Sequence, residues 1–370
     1  MALELPDFPW DTISEFADRA RAHPDGIVDL SVGSPVDPTP AFIREALAAA
    51  TDAHSYPQTA GSVPLREAIV DWYARRRGVE LTVANVMPSI GSKELVALLP
   101  SLLGLGAGDV VVQPTLAYPT YAIGAALVGA TVLSSDDPSE WPSNTRLIWL
   151  NSPSNPDGRV LGIDFLRTAV ARARELGAVI VNDECYAELT WPAEGETGFP
   201  APAPSILDAE VIQGSRDHVL SVYSLSKQSN LAGYRAGFVA GCSDLIAEIL
   251  AVRKHIGLMP PAPVQAAMVA ALGNDEHVAG QRAIYGARRS RLMAALVAAG
   301  FRIDDSAAGL YLWATRGEDS LATISWLADR GILAAPGSFY GDDPAVHVRL
   351  ALTATDADIA RAANRLGASV

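Results

Sequence analysis

Lysine is nearly missing from this 370-residue chain: Lys93, Lys227 and Lys254 stand against 25 arginines, the 28 basic residues less these three. Arginine stays protonated and is a poor nucleophile, so a chain that uses it wherever charge suffices leaves each lysine to be considered for its amine. Cysteine is scarcer still. Cys185 and Cys242 are too few for a disulfide framework or a structural zinc site and fit a reducing compartment, and no metal site is expected. Acidic residues outnumber basic ones 42 to 28, so the clustered positive charge that nucleic acid requires is lacking. The one dense basic run, Arg75-Arg76-Arg77, reads as a solvated helix end. No stretch approaches the roughly 18 uninterrupted apolar residues of a membrane span. Met1 to Asp7 shows no basic region leading into an apolar run, so no secretory signal is expected. A cytoplasmic protein without nucleic-acid or membrane partners is the expectation. No G-x-G-x-x-G follows an early strand, which argues against a nicotinamide dehydrogenase.

What is present is material for a large core, with 49% hydrophobic and 19% charged residues, and length enough for two or so domains. From about residue 40 to 275 short apolar runs alternate with helix-length amphipathic segments, the pattern of a mostly parallel sheet wrapped by helices. The runs are 86–89, 109–113, 146–150, 178–182, 219–223 and 236–241, with helices expected over 93–103 and from near 118. Ligands of such sheets bind beyond the carboxyl ends of the strands. From about 262 to 299 an Ala-, Arg- and Leu-rich stretch reads as helices broken near Gly273, Gly280 and Gly286, followed by strands at 309–314 and 346–352. Pro6, Pro9, Pro24 and Pro35 keep residues 1–35 from long regular elements, leaving an arm. The expected division is therefore an arm at 1–35, a large domain at 36–275 and a smaller one at 276–370.

The residues just past the strands carry chemistry. After Val219–Tyr223 come Ser224, Leu225, Ser226 and Lys227, with Arg235 eight positions beyond the lysine. An amine beside an anion site is what imine chemistry on a phosphorylated cofactor needs. Gly91-Ser92 opens a helix after a strand; its free N–H groups and dipole can seat a phosphate, although Ser92 is equally suited to capping the helix. Asn151 to Gly158 is turn-rich. Asp183 can cap a helix or hold a pyridine nitrogen protonated, and Tyr186 can donate to a ring oxygen. Tyr118 and Tyr121 can stack on a flat ring or fill the core.

Taken together these motifs resemble the class I pyridoxal-phosphate aminotransferases of the aspartate aminotransferase superfamily, over nearly the whole chain. The resemblance rests on Tyr56 to Arg66, Asn155-Pro156-Asp157-Gly158, Asp183-Glu184-Cys185-Tyr186, Ser224 to Lys227 with Arg235, and Val348-Arg349-Leu350, in family order and spacing. Asp157 departs from the commoner Thr or Ser. The resemblance implies an α/β fold of type I: a large domain with a mostly parallel seven-stranded sheet wrapped by helices, and a smaller α+β domain formed by the arm and the carboxyl-terminal part. It implies pyridoxal 5'-phosphate as cofactor and Lys227 as the Schiff-base lysine and proton shuttle. Asp183 would meet the pyridine nitrogen, Asn155 and Tyr186 the ring hydroxyl, and Tyr118 the ring face. Gly91, Ser92, Lys93, Ser224, Ser226 and Arg235 would hold the cofactor at its phosphate end, joined by Tyr56 of a neighbouring subunit in a homodimer. Arg349 would clamp the substrate α-carboxylate with help from Gly33 and Asn155.

Within the superfamily, Ser89 to Val96, the short chain and the arm around Phe8-Pro9-Trp10 are most similar to the succinyldiaminopimelate aminotransferases. That implies amino transfer from glutamate to N-succinyl-2-amino-6-oxopimelate in lysine biosynthesis. Its distal carboxylates call for further cations. Arg19, Arg21, Arg253, Lys254 and His255 are the candidates, with Arg253 or Lys254 expected near the pocket. Aspartate, aromatic and kynurenine aminotransferases, carbon–sulfur lyases and decarboxylases share the lysine and aspartate and stay open as alternatives. A ligand-sensing domain of a transcription regulator is disfavoured because this acidic chain offers no DNA-binding segment.

Overall fold

Continuous apolar runs, rather than alternating ones, mark strands covered on both faces. Every residue of Val179–Asp183, Val219–Ser224 and Ala236–Gly241 is buried, and these three lie side by side within one sheet. The computed structural model describes residues 5–6, 9–193, 195–196, 198–341 and 345–367; Phe8, part of the arm singled out above, lies outside them. Strand β1 (Val28–Asp29) comes first. Then β2 (Val86–Ile90), β3 (Val110–Gln113), β4 (Thr131–Ser134), β5 (Thr145–Asn151), β6 (Val179–Asp183), β7 (Val219–Ser224) and β8 (Ala236–Gly241) form a seven-stranded sheet. Its order is β2-β8-β7-β6-β5-β3-β4. Strands β3 to β7 pair in parallel, and β8 runs against both β7 and β2. The seven-stranded, mostly parallel sheet is the one the resemblance implies. Edge strand β4 escaped the apolar-run reading because it has one neighbour and none of its four residues is fully buried.

The two-residue period of a strand divides its side chains between two cores. Val110, Val112, Ile148, Leu150 and Ile180 face one, with Leu65, Ile69, Trp72 and Leu166 from helices. Val111, Leu147, Trp149, Val179 and Val181 face the other, with Leu95, Val96 and Leu99 of the helix Gly91–Leu102. Burying each such large side chain stabilises the fold by about 1.5–3 kcal/mol.

Beyond the sheet come β9 (Arg302–Asp304), β10 (Tyr311–Thr315), β11 (Ile332–Leu333), β12 (Ala335–Pro336) and β13 (His347–Ala351). Four of them make an antiparallel sheet in the order β12-β13-β10-β9, while β11 pairs in parallel with β1. Arg349 sits in register between Trp313 and Ala335. The breaks expected at Gly280 and Gly286 do not occur: one helix, Glu276–Ala298, runs through both. Gly286 instead makes room for Phe199 and Trp191, since a Cβ there would lie 3.3 Å from the Phe199 ring. In the arm the proline-limited elements are a 3-10 turn at Pro9–Ile13 and an eight-residue helix, Ser14–Arg21.

The arginine run is not a solvated helix end. It closes a π-helical turn, Tyr73–Arg77, and each guanidinium meets a carboxylate: Arg75 with Asp275, Arg76 with Glu188, and Arg77 with Glu184 at 3.1 Å. The side chains of Arg77 and Glu184 are 1% and 0% exposed. Adjacent charges in sequence gave no hint of these acidic partners, which lie more than 100 residues away. Among the described residues no helix is long and apolar enough to cross a membrane and no cluster of metal-ligating side chains exists. Both cysteines are buried and free.

Candidate active site

A cavity of about 560 Å³ opens at the carboxyl ends of β5, β6 and β7, within the size range of small-molecule sites. Asp183 enters it from the end of β6, Ser224 from the end of β7, and Ser226 and Lys227 from the loop that follows. Ser92 and Lys93 come from the first turn of the helix after β2, Asn155 from the loop after β5, and Tyr118 from the segment after β3. Gly33, Tyr186, Arg235 and Arg349 complete the set, so twelve of the residues singled out from sequence line one cavity.

Gly91 lies beneath rather than in it. Its N–H donates to the Arg235 carbonyl at 2.7 Å, its φ is +69°, and a Cβ would stand 2.5 Å from Arg235 Nη2. A side chain there would be strained by the left-handed backbone and would displace the guanidinium. Arg235 itself is held at φ 56°, a conformation that surroundings must impose on a non-glycine residue. Its guanidinium, the Ser92 end of the helix and the bonded Ser224 and Ser226 hydroxyls, 2.8 Å apart, gather donors at one end of the cavity.

Charge is arranged asymmetrically. Asp183 is buried, and burial raises its pKa above the ordinary carboxylate value against the pull of its hydrogen bonds. Those bonds come from the Cys185 N–H at 3.1 Å and the Tyr121 hydroxyl at 3.2 Å. Among the described residues Asp183 has no cationic partner. Arg349, 3% exposed, donates to Asn155 Oδ1 at 2.9 Å and to the Ser31 carbonyl at 2.6 Å, yet faces no carboxylate, and its Nε has no partner among the described residues. In the same cavity Lys227 Nζ donates to the Gly33 carbonyl. Burial lowers the pKa of this amine, and Arg349 and Arg235 push it further down while Tyr311 and Cys185 resist.

A buried carboxylate and a buried guanidinium, each lacking an opposite charge, are costly unless a ligand completes them. A pyridinium N–H suits Asp183, a carboxylate suits Arg349, and the donors beside Arg235 suit a phosphate. The residues present therefore fit pyridoxal phosphate together with an amino-acid substrate. Residues 25–366 match the family described as aminotransferase class I and II. The chain belongs to that family. Its fold is fold type I, and the family's cofactor is pyridoxal 5'-phosphate.

The aminotransferase is 56% identical over 368 residues to a probable aminotransferase of Mycobacterium tuberculosis, covering 99% of this chain and 86% of that one. It is 53% identical over 364 residues to the 4-dedimethylamino-4-oxo-anhydrotetracycline transaminase of Streptomyces rimosus, covering 98% and 99%. Among solved structures it superposes on the N-succinyldiaminopimelate aminotransferase of Mycobacterium tuberculosis with a TM-score of 0.85 and 27% identity, covering 97% and 96%.

None of the cations expected to serve distal carboxylates lines the cavity of this aminotransferase. Arg253 is fully buried and already paired with Glu94 at 2.8 Å, with a further bond to the Leu258 carbonyl. Arg19 pairs with Asp329 and Arg21 with Asp18. Lys254 and His255 are exposed in the last turn of the helix Ser243–Ile256. Tyr56 is 97% exposed and lines a separate surface depression with Gln58 and Ser62, away from its own chain's cavity. Two site residues lacked a clear sequence signal. Tyr121, stacked on Trp149 at 5.0 Å, has no sequence mark that separates a ring-stacking from a core tyrosine, and Tyr311 sits in a strand buried at every position, where alternation points nowhere.

Proposed function

We propose that this aminotransferase moves an amino group between glutamate and a keto acid through Lys227, with Asp183, Tyr186 and Arg349 in supporting roles. The observation that carries this reading is the pair of uncompensated opposite charges, Asp183 and Arg349, lining one cavity with a desolvated amine. When bound, pyridoxal phosphate supplies the electron-withdrawing ring that makes the hydrogen on the substrate Cα acidic. Lys227, its pKa lowered by burial, loses its proton more readily than a free lysine and would supply the amine that meets the cofactor and carries the Cα proton. Asp183 would hold the proton on the ring nitrogen, supported by Tyr121. Asn155 and Tyr186 would donate to the ring oxygen, and Tyr118 would cover a ring face. Ser92, Lys93, Ser224, Ser226 and Arg235 would hold the phosphate, while Gly91, its N–H bonded to the Arg235 carbonyl, makes room for the guanidinium from beneath. Arg349, pinned by Asn155 and Ser31 with Gly33 opposite, offers the planar fork that an α-carboxylate matches.

For the acceptor we infer N-succinyl-2-amino-6-oxopimelate, which places the enzyme in diaminopimelate and lysine synthesis. The likeness to the N-succinyldiaminopimelate aminotransferase and the Ser89 to Val96 stretch support this. A second reading, amination of a ring ketone, is favoured by the 53% identity to the tetracycline-pathway transaminase. Arg349 serves both, since each needs an amino-acid donor. The deciding experiment incubates the purified holoenzyme with glutamate and either the succinylated keto acid or a 4-oxo-anhydrotetracycline, and follows 2-oxoglutarate. Rapid turnover of the first alone establishes the diaminopimelate reading; turnover of the second alone replaces it.

We also infer a cytoplasmic homodimer in which Tyr56 reaches the partner's phosphate site, supported by its exposure outside its own cavity. The arm with 276–370 and the segment 36–275 are proposed as the two domains, each with its own sheet.

A further inference from the structure

Tyr311, the first residue of β10, is buried and reaches into the cavity from the antiparallel sheet. Its hydroxyl lies 3.2 Å from that of Tyr186. Its ring lies under Arg349, whose Cζ is 3.9 Å from the ring centroid. Its outer edge occupies space that only glycine at position 33 leaves free. A Cβ on Gly33 would strike the Tyr311 hydroxyl and stand 2.8 Å from Cε1 and Cζ. The carbonyl of that same Gly33 receives the Lys227 amine. One phenol thus touches the carboxylate clamp, the ring-oxygen donor and the turn that holds the lysine.

We infer that Tyr311 is a positioning residue of the reaction: its hydroxyl sets the direction in which Tyr186 donates its hydrogen, and its ring carries the Arg349 fork. The inference rests on the reading above, in which Tyr186 faces the cofactor's ring oxygen.

Two hydroxyls at this separation form one hydrogen bond, in which the more acidic phenol is the better donor. Burial works to raise Tyr311, but Arg349 and then Lys227 more than reverse it, leaving its pKa below the ordinary phenol value. Tyr186 is pushed well above that value by burial and by Tyr311. Cys185 also opposes ionisation of Tyr311, and Tyr118, Tyr285 and Tyr340 are the other titratable groups within its field. Tyr311 therefore donates to the Tyr186 oxygen, and Tyr186 keeps its own proton to give to the ring oxygen.

The test compares Tyr311→Phe, Tyr311→Leu and Tyr186→Phe in the pyridoxal-phosphate-loaded enzyme. Its readouts are the pH midpoint of the visible cofactor absorbance and the KM for glutamate. Tyr311→Phe removes the donor to the Tyr186 oxygen and so weakens the bond Tyr186 gives the deprotonated ring oxygen, and the midpoint rises by about 0.5–1 pH unit. KM then stays within about 2-fold because the ring under Arg349 remains. Tyr311→Leu removes that ring and raises KM by about 5- to 30-fold. Tyr186→Phe raises the midpoint if Tyr186 faces the ring oxygen. A raised midpoint in Tyr186→Phe with an unchanged or lowered one in Tyr311→Phe overturns the role of Tyr311 while leaving the underlying reading intact. No change in Tyr186→Phe overturns both, and an unaltered KM in Tyr311→Leu removes the supporting role of the ring.

Discussion

The Arg77 guanidinium meets the Glu184 carboxylate at 3.1 Å directly behind the cavity, one residue along from Asp183. Glu184 also accepts from Ser205, the Ile206 N–H and Asn182, so the turn that presents Asp183 is tied down from its inner side. Removing one partner of a buried pair leaves an uncompensated charge and costs about 3–5 kcal/mol. Arg77→Met is therefore expected to lower the unfolding free energy read from denaturant titration by that amount and to weaken cofactor binding. The double variant Arg77→Met/Glu184→Gln is expected to recover most of the stability. Equal losses in single and double variants would exclude a coupled pair.

Replacing Lys227 with Ala removes both the imine-forming amine and the proton carrier. Transamination is expected to fall by at least about 10²–10⁴-fold, together with loss of the visible absorbance of the lysine-bound cofactor. Sustained turnover at more than a few per cent of the parent rate would refute the assignment.

Asp183 carries a stability cost in the cofactor-free protein. Its folded pKa is raised above 3.8 by burial, so the folded state holds its proton more tightly than the unfolded chain. Stability contributed by that proton is full below the unfolded value and is lost as pH rises through the raised folded value. Asp183→Asn is expected to make the cofactor-free protein more heat-stable at neutral pH, with the gain shrinking toward acid. Cofactor affinity is expected to fall in the same variant. Calorimetry across pH 4–8, with and without pyridoxal phosphate, reads both; a variant less stable in the absence of cofactor contradicts the sign.

Arg349→Lys keeps the charge and loses the fork. Two bonds to one carboxylate become one, and the contact with the Tyr311 face goes with them. KM for glutamate is expected to rise about 10- to 100-fold, the size of one lost charged hydrogen bond, with a smaller effect on kcat. Steady-state kinetics with glutamate varied at saturating acceptor separates the two.

The parts of this site that could be read from sequence are those whose motif residues are neighbours along the chain. Ser224, Ser226, Lys227 and Arg235 follow a continuous apolar run, and Gly91-Ser92 opens a helix just after another. Central strands were legible for the same reason, while β4 was hidden by its half-exposed edge position. Distances across the fold were not legible. The engagement of Arg253 by Glu94 spans 159 residues, and that of Arg77 by Glu184 spans 107, so nothing in the local pattern separated a free cation from a spent one. Tyr311 stayed hidden because burial on both faces erases the alternation that would show where a side chain points.

The reversed direction of β8 has a consequence for spacing. Strand β7 ends at Ser224 and β8 begins at Ala236, leaving eleven connecting residues, 225 to 235. A parallel successor would start at the far end of the sheet and need a crossover of a dozen or more residues, usually a helix, to get there. Because β8 turns straight back, its entry point lies at the same rim where β7 exits. The amine and the guanidinium are thereby kept at one address, eight positions apart, and any insertion in that loop would alter the distance between the reacting carbon's lysine and the phosphate's anchor without touching either residue.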